Sequence, residues 1–273
     1  PNSVAVVGAS VRPGSFGLRT LLNLTEYEGA LYPINPKYQE VAGYACYPDI
    51  AALPSPPDCA VVAVSADLVA GAVRECVQAG VRGVIVYAGG FAETRQAHHV
   101  ALQADLVDIV RGTPTRLLGP NCLGITNYAR RARILFGRMP KTVELGAFPI
   151  AIACQSGSVS MSLGQVVMRG VSVSHCIPVG NGADVELADT VAYLAEDPVC
   201  RAIVCVFEGV PSPPRLIAAV RLATKREKPV IVYKMAVGRA GADAALSHTG
   251  ALAGSHASYK AALEDAGAVV VDQ

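Results

Sequence analysis

Short apolar runs alternate with longer amphipathic stretches along the whole chain. "VAVVGAS" at 4–10 is an apolar run that ends in a glycine turn, and "FGLRTLLNLTEY" at 16–27 has the spacing of a helix. "ALYPINP" and "CAVVAVS" are two further strand-like runs, the first stopped by Pro36. "ADLVAGAVRECVQAG" is an amphipathic helix that ends at Gly80. "GVIVYAGG", a helix over 93–112 and "RLLGPNCLG" complete a first series. A second series begins with "PIAIACQSG" and continues through "SVSMSLGQVVMRG", "VSHCIPVGN", "VELADTVAYLAED", "RAIVCVFEG", "PPRLIAAVRLATKRE", "PVIVYKM", "ASYKAALEDAG" and "AVVVDQ". Strand-helix-strand alternation of this kind predicts an α/β chain with two mostly parallel sheets and right-handed crossovers. The stretch 127–144 between the series is less periodic and carries Arg130, Arg131 and Arg133. It is expected to be an interdomain connection.

Composition supports a buried parallel sheet. Of the 273 residues, 52% are hydrophobic and 16% charged, which suits strands covered on both faces. The formal net charge is +1, with no basic stretch of the kind that tracks a phosphate backbone, so nucleic acid is not an expected partner. No uninterrupted apolar run reaches the roughly 20 residues of a membrane helix, and no signal-peptide pattern opens the chain. The eight cysteines are scattered, without CxxC pairs or metal-like spacing. Buried reduced thiols in a cytoplasmic protein are the expectation, and no metal site. The missing initiator Met and the strand-like ending "VVVDQ" suggest a piece of a longer polypeptide.

Four places carry candidate chemistry. The loop "GASVRPGSFG" at 8–17 follows a buried strand and opens a helix. Gly8 and Gly14 permit a tight turn, and the free N–H groups of the helix start suit an anionic phosphate. Its spacing is not GxGxxG, which disfavours a nicotinamide dinucleotide. A turn that binds nothing is the alternative. Lys37, in "INPK", can add a point charge or be merely solvated. "CQSGSVSMSLG" places Gln155, Ser156, Gly157 and Ser158 at a second helix start, either an anion cradle or simple helix capping. It lacks the GxSxG spacing of a serine hydrolase elbow. "LSHTGALAGS" holds His248 in a loop bare of bulk, where another group can approach the imidazole, or where the histidine is incidental. Glu208 ends an apolar strand, where open α/β sheets place their ligands, and such a carboxylate can orient an imidazole or stand exposed.

In order and spacing, "GAS…PGSFG", "INPK", "GPNCLG", "QSGSVS", "VGNGADVELADTVAYLAED", "FEG" and "SHTGALAGS" resemble the ADP-forming acyl-CoA (acetate–CoA) ligases, relatives of the succinyl-CoA synthetase alpha subunit. The resemblance runs from Ser3 to Asp272. It implies a Rossmann-like CoA-binding domain over 1–126 and a flavodoxin-like ligase domain over 145–273. It implies that Ser10, Val11, Arg12, Pro13 and Lys37 hold CoA, with Tyr87, Ala88 and Gly89 near the pantetheine arm. His248 matches the histidine that is phosphorylated, Glu208 the glutamate that orients it, and Ser156, Gly157 and Ser158 the helix start that receives the phosphoryl group. Where succinyl-CoA synthetases carry a substrate tyrosine, this chain has Met161, which points to a carboxylic acid other than succinate. The family also implies ATP/ADP and Mg²⁺ held by an ATP-grasp domain, in cis or as a beta subunit, with phosphate as co-product and a homo- or hetero-oligomer. The alternatives are a catalytically inactive CoA- or acyl-CoA-sensing module, an assembly module, and a nicotinamide-dependent oxidoreductase.

Overall fold

The computed structural model describes residues 1–141, 144–235 and 256–272. The first series folds as strands β1 (Ser3–Val7), β2 (Ala30–Ile34), β5 (Cys59–Val62), β6 (Gly83–Val86) and β7 (Arg116–Leu118), with a small hairpin of β3 (Glu40–Val41) and β4 (Tyr44–Ala45) after β2. The five main strands pair in parallel in the order β2-β1-β5-β6-β7. The helices are α1 (Phe16–Asn23), α2 (Ala66–Gln78) and α3 (Ala97–Val110).

Alternation along the strands explains why they are apolar throughout. Val4, Val6, Cys59, Val61 and Ile85 face one side, where Leu21 and Leu24 of the α1 region pack. Ala5, Ala60, Val62, Val84 and Val86 face the other, against Val69, Val73 and Cys76 of α2 and Leu106 and Val110 of α3. Successive side chains point to opposite faces, and both faces are covered, so polar residues are confined to strand starts such as Ser3 and Arg116. Helix α2 buries Val69, Ala72, Val73 and Cys76, one stripe at i, i+3, i+4 and i+7.

The second series gives β10 (Ile150–Cys154), β11 (Val173–Pro178), β12 (Ala202–Phe207), β13 (Val230–Lys234) and β14 (Val269–Val270), with helices α4 (Gly157–Gly164), α5 (Leu187–Glu196), α6 (Pro213–Lys225) and α7 (His256–Asp265). These strands are also parallel, in the order β14-β13-β12-β10-β11. Counted by main strands, both sheets run 2-1-3-4-5. This order has its switch point between the first and third strands, where ligands of open α/β sheets bind.

The stretch 127–144 is not the plain connection that its composition suggested. Strands β8 (Gly124–Asn127) and β9 (Ala132–Leu135) form an antiparallel hairpin that joins the edge of the second sheet beside β11. The Asn127 side chain accepts from the Arg130 N–H at 3.0 Å and so closes the turn, while Arg131 takes φ +50°. The basic run misleads because Arg133 is buried and paired with Glu26 at 3.1 Å. Ile134 and Ala132 lie in the same apolar core as Val4, Ala151 and Ile203, so one core runs through both sheets. All eight cysteines are free thiols, seven of them buried. Among the described residues no helix is long and apolar enough to cross a membrane.

His175 sits in β11, buried, with Nδ1 3.1 Å from the Ser174 hydroxyl and Nε2 without a hydrogen-bond partner among the described residues. Burial lowers its pKa below the ordinary 6.5, partly offset by the charge of Asp197. The unfolded chain therefore binds a proton below about pH 6.5 that the folded chain refuses. Its contribution is complete above that pH and is lost as the pH falls toward the lower folded value. Denaturant melts from pH 7.5 to 5 should show a steeper loss of stability for wild type than for His175→Leu. Parallel curves would refute this role.

Candidate functional site

The first switch point lies between β1 and β5, and the loop 8–17 leaves β1 there. Gly8, at φ +85°, has no room for a side chain: a Cβ would stand 2.6 Å from the Ala63 carbonyl oxygen on the β5 side. Gly17 is equally closed, because its Cβ would meet the Gly8 carbonyl oxygen at 2.6 Å. The start of α1 thus presses against the loop backbone. Between them Ser10 Oγ accepts from the Arg12 N–H at 3.1 Å, and Ser15 N–H donates to the Arg12 carbonyl at 3.2 Å. This folds 10–15 into a compact turn with Val11, Arg12, Pro13 and Gly14 exposed at its tip.

Asn35 ties the neighbouring loop to this one. Its Nδ2 donates to the Ala9 carbonyl at 2.7 Å and its Oδ1 accepts from the Lys37 N–H at 3.0 Å. The Lys37 side chain is exposed, and its backbone is tied through Asn35 to the loop that opens α1. The free N–H groups of a helix start suit an anionic phosphate.

The second switch point lies between β10 and β12. Gln155 and Ser156 leave β10, and Gly157 begins α4. Ser156 Oγ and Ser158 Oγ lie 3.0 Å apart. Gly157 has no room for a Cβ, which would sit 2.8 Å from Leu123 Cβ. Glu208 leaves β12 directly opposite, and its N–H donates to Gln155 Oε1 at 3.1 Å. Gln155 thereby fixes the distance between the helix start and the carboxylate-bearing loop. Glu208 is buried. His248 lies outside the described residues, within 236–255.

A cleft of about 210 Å³ joins the two halves. Gln155, Ser156, Gly157 and Ser158 line one wall, with Tyr87, Leu123 and Phe136 across from them. The Tyr87 hydroxyl is hydrogen bonded to Thr20 at 3.0 Å, and burial holds its pKa well above the ordinary 10.0. Phe136 stacks on Phe16 at 3.9 Å and meets Tyr87 edge to face at 4.9 Å. The hairpin thus supplies one wall of the cleft, and Phe16 links that wall to the 8–17 loop.

Glu93 and Asn181 close the rim. Glu93 Oε1 accepts from the Gly90 N–H at 2.6 Å, and its Oε2 from Asn181 Nδ2, also at 2.6 Å. Burial works to raise the Glu93 pKa, but the bonds from Asn181, Gly90 and Phe91 prevail and lower it. Asn181 also donates to Gln103 at 2.8 Å. Gly89 lies against this network, with a Cβ position 3.2 Å from Glu93 Oε1, and the Ala88 carbonyl accepts from the Asn121 N–H at 2.8 Å. Two clusters result. Gly8, Ser10, Val11, Arg12, Pro13, Gly14 and Lys37 form the first, while Tyr87, Gln155, Ser156, Gly157 and Ser158 meet across the cleft beside Glu208.

Asn35, Glu93, Asn181 and Lys234 were not singled out from the sequence. Asn35 and Asn181 sit inside motifs that were noticed, "INPK" and "VGNG", but whose asparagines carry no signal of their own. Lys234 has one: a lysine that ends the apolar run "VIVYK" must be buried or turn outward.

Residues 2–128 match the family described as CoA binding domain, and residues 147–273 the family described as succinyl-CoA ligase like flavodoxin domain. The chain is 37% identical over 270 residues to acetate–CoA ligase [ADP-forming] I of Archaeoglobus fulgidus, covering 98% of this chain and 38% of that protein. It is 34% identical over 274 residues to the alpha subunit of acetate–CoA ligase [ADP-forming] II of Pyrococcus furiosus, covering 100% of this chain and 58% of that one. Its fold superposes on a dinucleotide forming acetyl-coenzyme A synthetase 1 of Candidatus Korarchaeum cryptofilum, solved with phosphate and ADP, with a TM-score of 0.91 and 33% identity over 100% of this chain and 58% of that one. The chain therefore spans less than two thirds of the length of these relatives.

The glycines of the first loop make a graded test. A methyl at Gly14 meets nothing within 4 Å, so Gly14→Ala bears only the strain of φ +80°, about 1 kcal/mol. At Gly8 the strain is joined by a clash with backbone, and Gly8→Ala should cost about 3 kcal/mol or more. Chemical denaturation of both variants checks the order, and equal losses would contradict the loop geometry.

Proposed function

Because this chain belongs to the ADP-forming acyl-CoA synthetase family, related to the succinyl-CoA synthetase alpha subunit, we propose that it is the CoA-binding and phosphoryl-relaying part of an acid–CoA ligase. The observation that carries this reading is the bond between Glu208 N–H and Gln155 Oε1 at the second switch point. It sets a carboxylate-bearing loop beside a serine-rich helix start, on a cleft that reaches the first domain. The first switch point takes the CoA diphosphate, with Ser10–Gly14 around it and Lys37 adding a point charge. Tyr87, Ala88 and Gly89 then guide the pantetheine arm toward the cleft.

His248 is the relay in this reading. Its neutral imidazole attacks the γ-phosphorus of ATP; the P–N bond forms, the bond to the bridging oxygen breaks, and ADP leaves. Glu208 holds the other ring N–H and so fixes the tautomer. A carboxylate oxygen of the acid then attacks phosphorus, the P–N bond breaks, and an acyl phosphate forms. Ser156, Gly157 and Ser158 direct N–H and hydroxyl dipoles at the moving phosphoryl charge. The CoA thiol attacks the acyl carbon, its proton passes to the departing phosphate, the C–O bond to phosphate breaks, and phosphate leaves with the thioester formed. Mg²⁺ accompanies the nucleotide and neutralises phosphate charge, held by an ATP-grasp domain that lies in cis or in a beta subunit. Soluble cytoplasmic residence and a homo- or hetero-oligomer fit this reading.

The test uses the chain with its ATP-grasp half and γ-labelled ATP. Wild type should acquire an acid-labile, base-stable label that His248→Asn lacks, while both bind CoA equally in calorimetry. Labelling of His248→Asn sinks the histidine assignment, and CoA binding without any label favours a sensing module. Lys37→Ala should weaken CoA about fivefold, the loss of one exposed charge contact of about 1 kcal/mol. Unchanged affinity would remove Lys37 from the site.

A further inference from the structure

Lys234 is the last residue of β13, and it is 1% exposed. Its Nζ donates to the carbonyl of Glu208 at 3.2 Å and to the carbonyl of Met235 at 3.1 Å. The same ammonium lies 5.4 Å from the centre of the Tyr259 ring on α7. Tyr259 is buried in turn and packs edge to face on Phe207, the residue before Glu208 and the strand partner of Lys234. One cation therefore touches the ends of two adjacent strands and the helix that follows.

These contacts have a particular place in the chain. Met235 immediately precedes 236–255, the stretch that carries His248, and Tyr259 follows it within one helical turn. Glu208 is the carboxylate at the switch point. Taking an ammonium out of water costs several kcal/mol, which two carbonyls and a ring face offset only in part. Burial accordingly lowers the Lys234 pKa, against the opposing pull of the Glu208 charge. A methionine would fill the same volume at lower cost. Packing alone does not call for a lysine here, but a fixed positive charge beside Glu208 does.

We infer that Lys234 is a positioning residue for phosphoryl relay: it pins the Glu208 loop to both flanks of the His248 stretch. The inference rests on the proposed phosphohistidine chemistry. Among the described residues Lys234 touches the Glu208 and Met235 carbonyls and the Tyr259 ring, and it acts through Glu208 and the two flanks. The hydrogen bonds to the Glu208 and Met235 carbonyls set the distance between the backbone that carries the orienting carboxylate and the residue that precedes the stretch. The contact with Tyr259 does the same at its far end.

The experiment compares wild type, Lys234→Met and Lys234→Arg in the complete enzyme with its ATP-grasp half, using γ-labelled ATP. Lys234→Met should slow formation of the acid-labile label at least tenfold, with kcat reduced and KM for CoA unchanged. Its thermal midpoint should stay level or rise, since a buried charge has been removed. Lys234→Arg keeps the charge and should recover part of the rate. A labelling rate for Lys234→Met equal to wild type overturns the inference. So does a parallel fall in rate, CoA affinity and melting temperature, which marks a packing role alone, or an arginine variant no better than methionine. If wild type itself takes no label, the phosphohistidine reading falls and Lys234 falls with it; if wild type is labelled and Lys234→Met matches it, only the positioning role is lost.

Discussion

Two parallel sheets with separate switch points make one site only if their strand ends are held against each other, and here backbone does the holding. The carbonyls of Leu117, Gly119 and Pro120 each accept an N–H from Val185, Ala183 and Asn181, all at 3.0 Å. Gly180, at φ +60°, closes the seam so tightly that a Cβ would stand 2.5 Å from the Pro120 oxygen. Side-chain contacts across the seam then fall into place. Asp184 takes Arg116 Nε at 2.9 Å and the Leu117 N–H at 2.8 Å, and Asn181 reaches Glu93 and Gln103. Hydrogen bonds between backbones fix position to a few tenths of an ångström, a tolerance that group transfer across a cleft requires.

That seam also explains where the buried charges lie. Buried Glu186, Glu208 and Lys234 and half-buried Glu93 sit close to strand or helix ends, whereas buried Arg133 lies within β9 and is paired with Glu26. Glu186 caps α5 in a reciprocal box with Asp189, and both carboxylates reach Arg215 on α6. Such an arrangement satisfies the N–H groups at the start of α5 and brings α6 against it. Glu93 does comparable work for the turn at 90–91. The Glu186 and Glu93 carboxylates thus each accept from a local backbone N–H, which offsets part of their desolvation cost where it arises.

The fold was legible to the degree that it rests on periodicity. The continuous apolar runs of β1 and β5 announced strands covered on both faces, and the stripe of α2 announced its buried side. The hairpin of β8 and β9 was not legible, because Arg130, Arg131 and Arg133 resemble a solvated linker until Glu26 is known to lie within reach of Arg133. The candidate site was legible as a place in the fold where glycine and serine gather at helix starts, since such loops are unusual for packing alone. It was not legible at Asn35, Asn181 or Glu93, where the significance of each residue depends on partners as many as 88 positions away. Lys234 falls between these cases: burial follows from its position in an apolar strand, but only the fold brings Glu208 and Tyr259 to it.

The repetition of one strand order in both halves bears on how the parts cooperate. A 2-1-3-4-5 sheet opens its crevice beyond the carboxyl ends of its first and third strands. In the first half that crevice receives the loop after β1, and in the second it receives Gln155 and Glu208 after β10 and β12. Taken alone, the two crevices would be separate. The hairpin changes this, because Phe136 at its end stacks on Phe16 of the first half and lines the cleft that Ser156 and Ser158 face. That stacked pair packs an aromatic face of the second sheet's hairpin against the start of α1. A strand pair added to the second sheet therefore lines the cleft at the second helix start and at the same time packs on the first residue of the helix that the 8–17 loop opens.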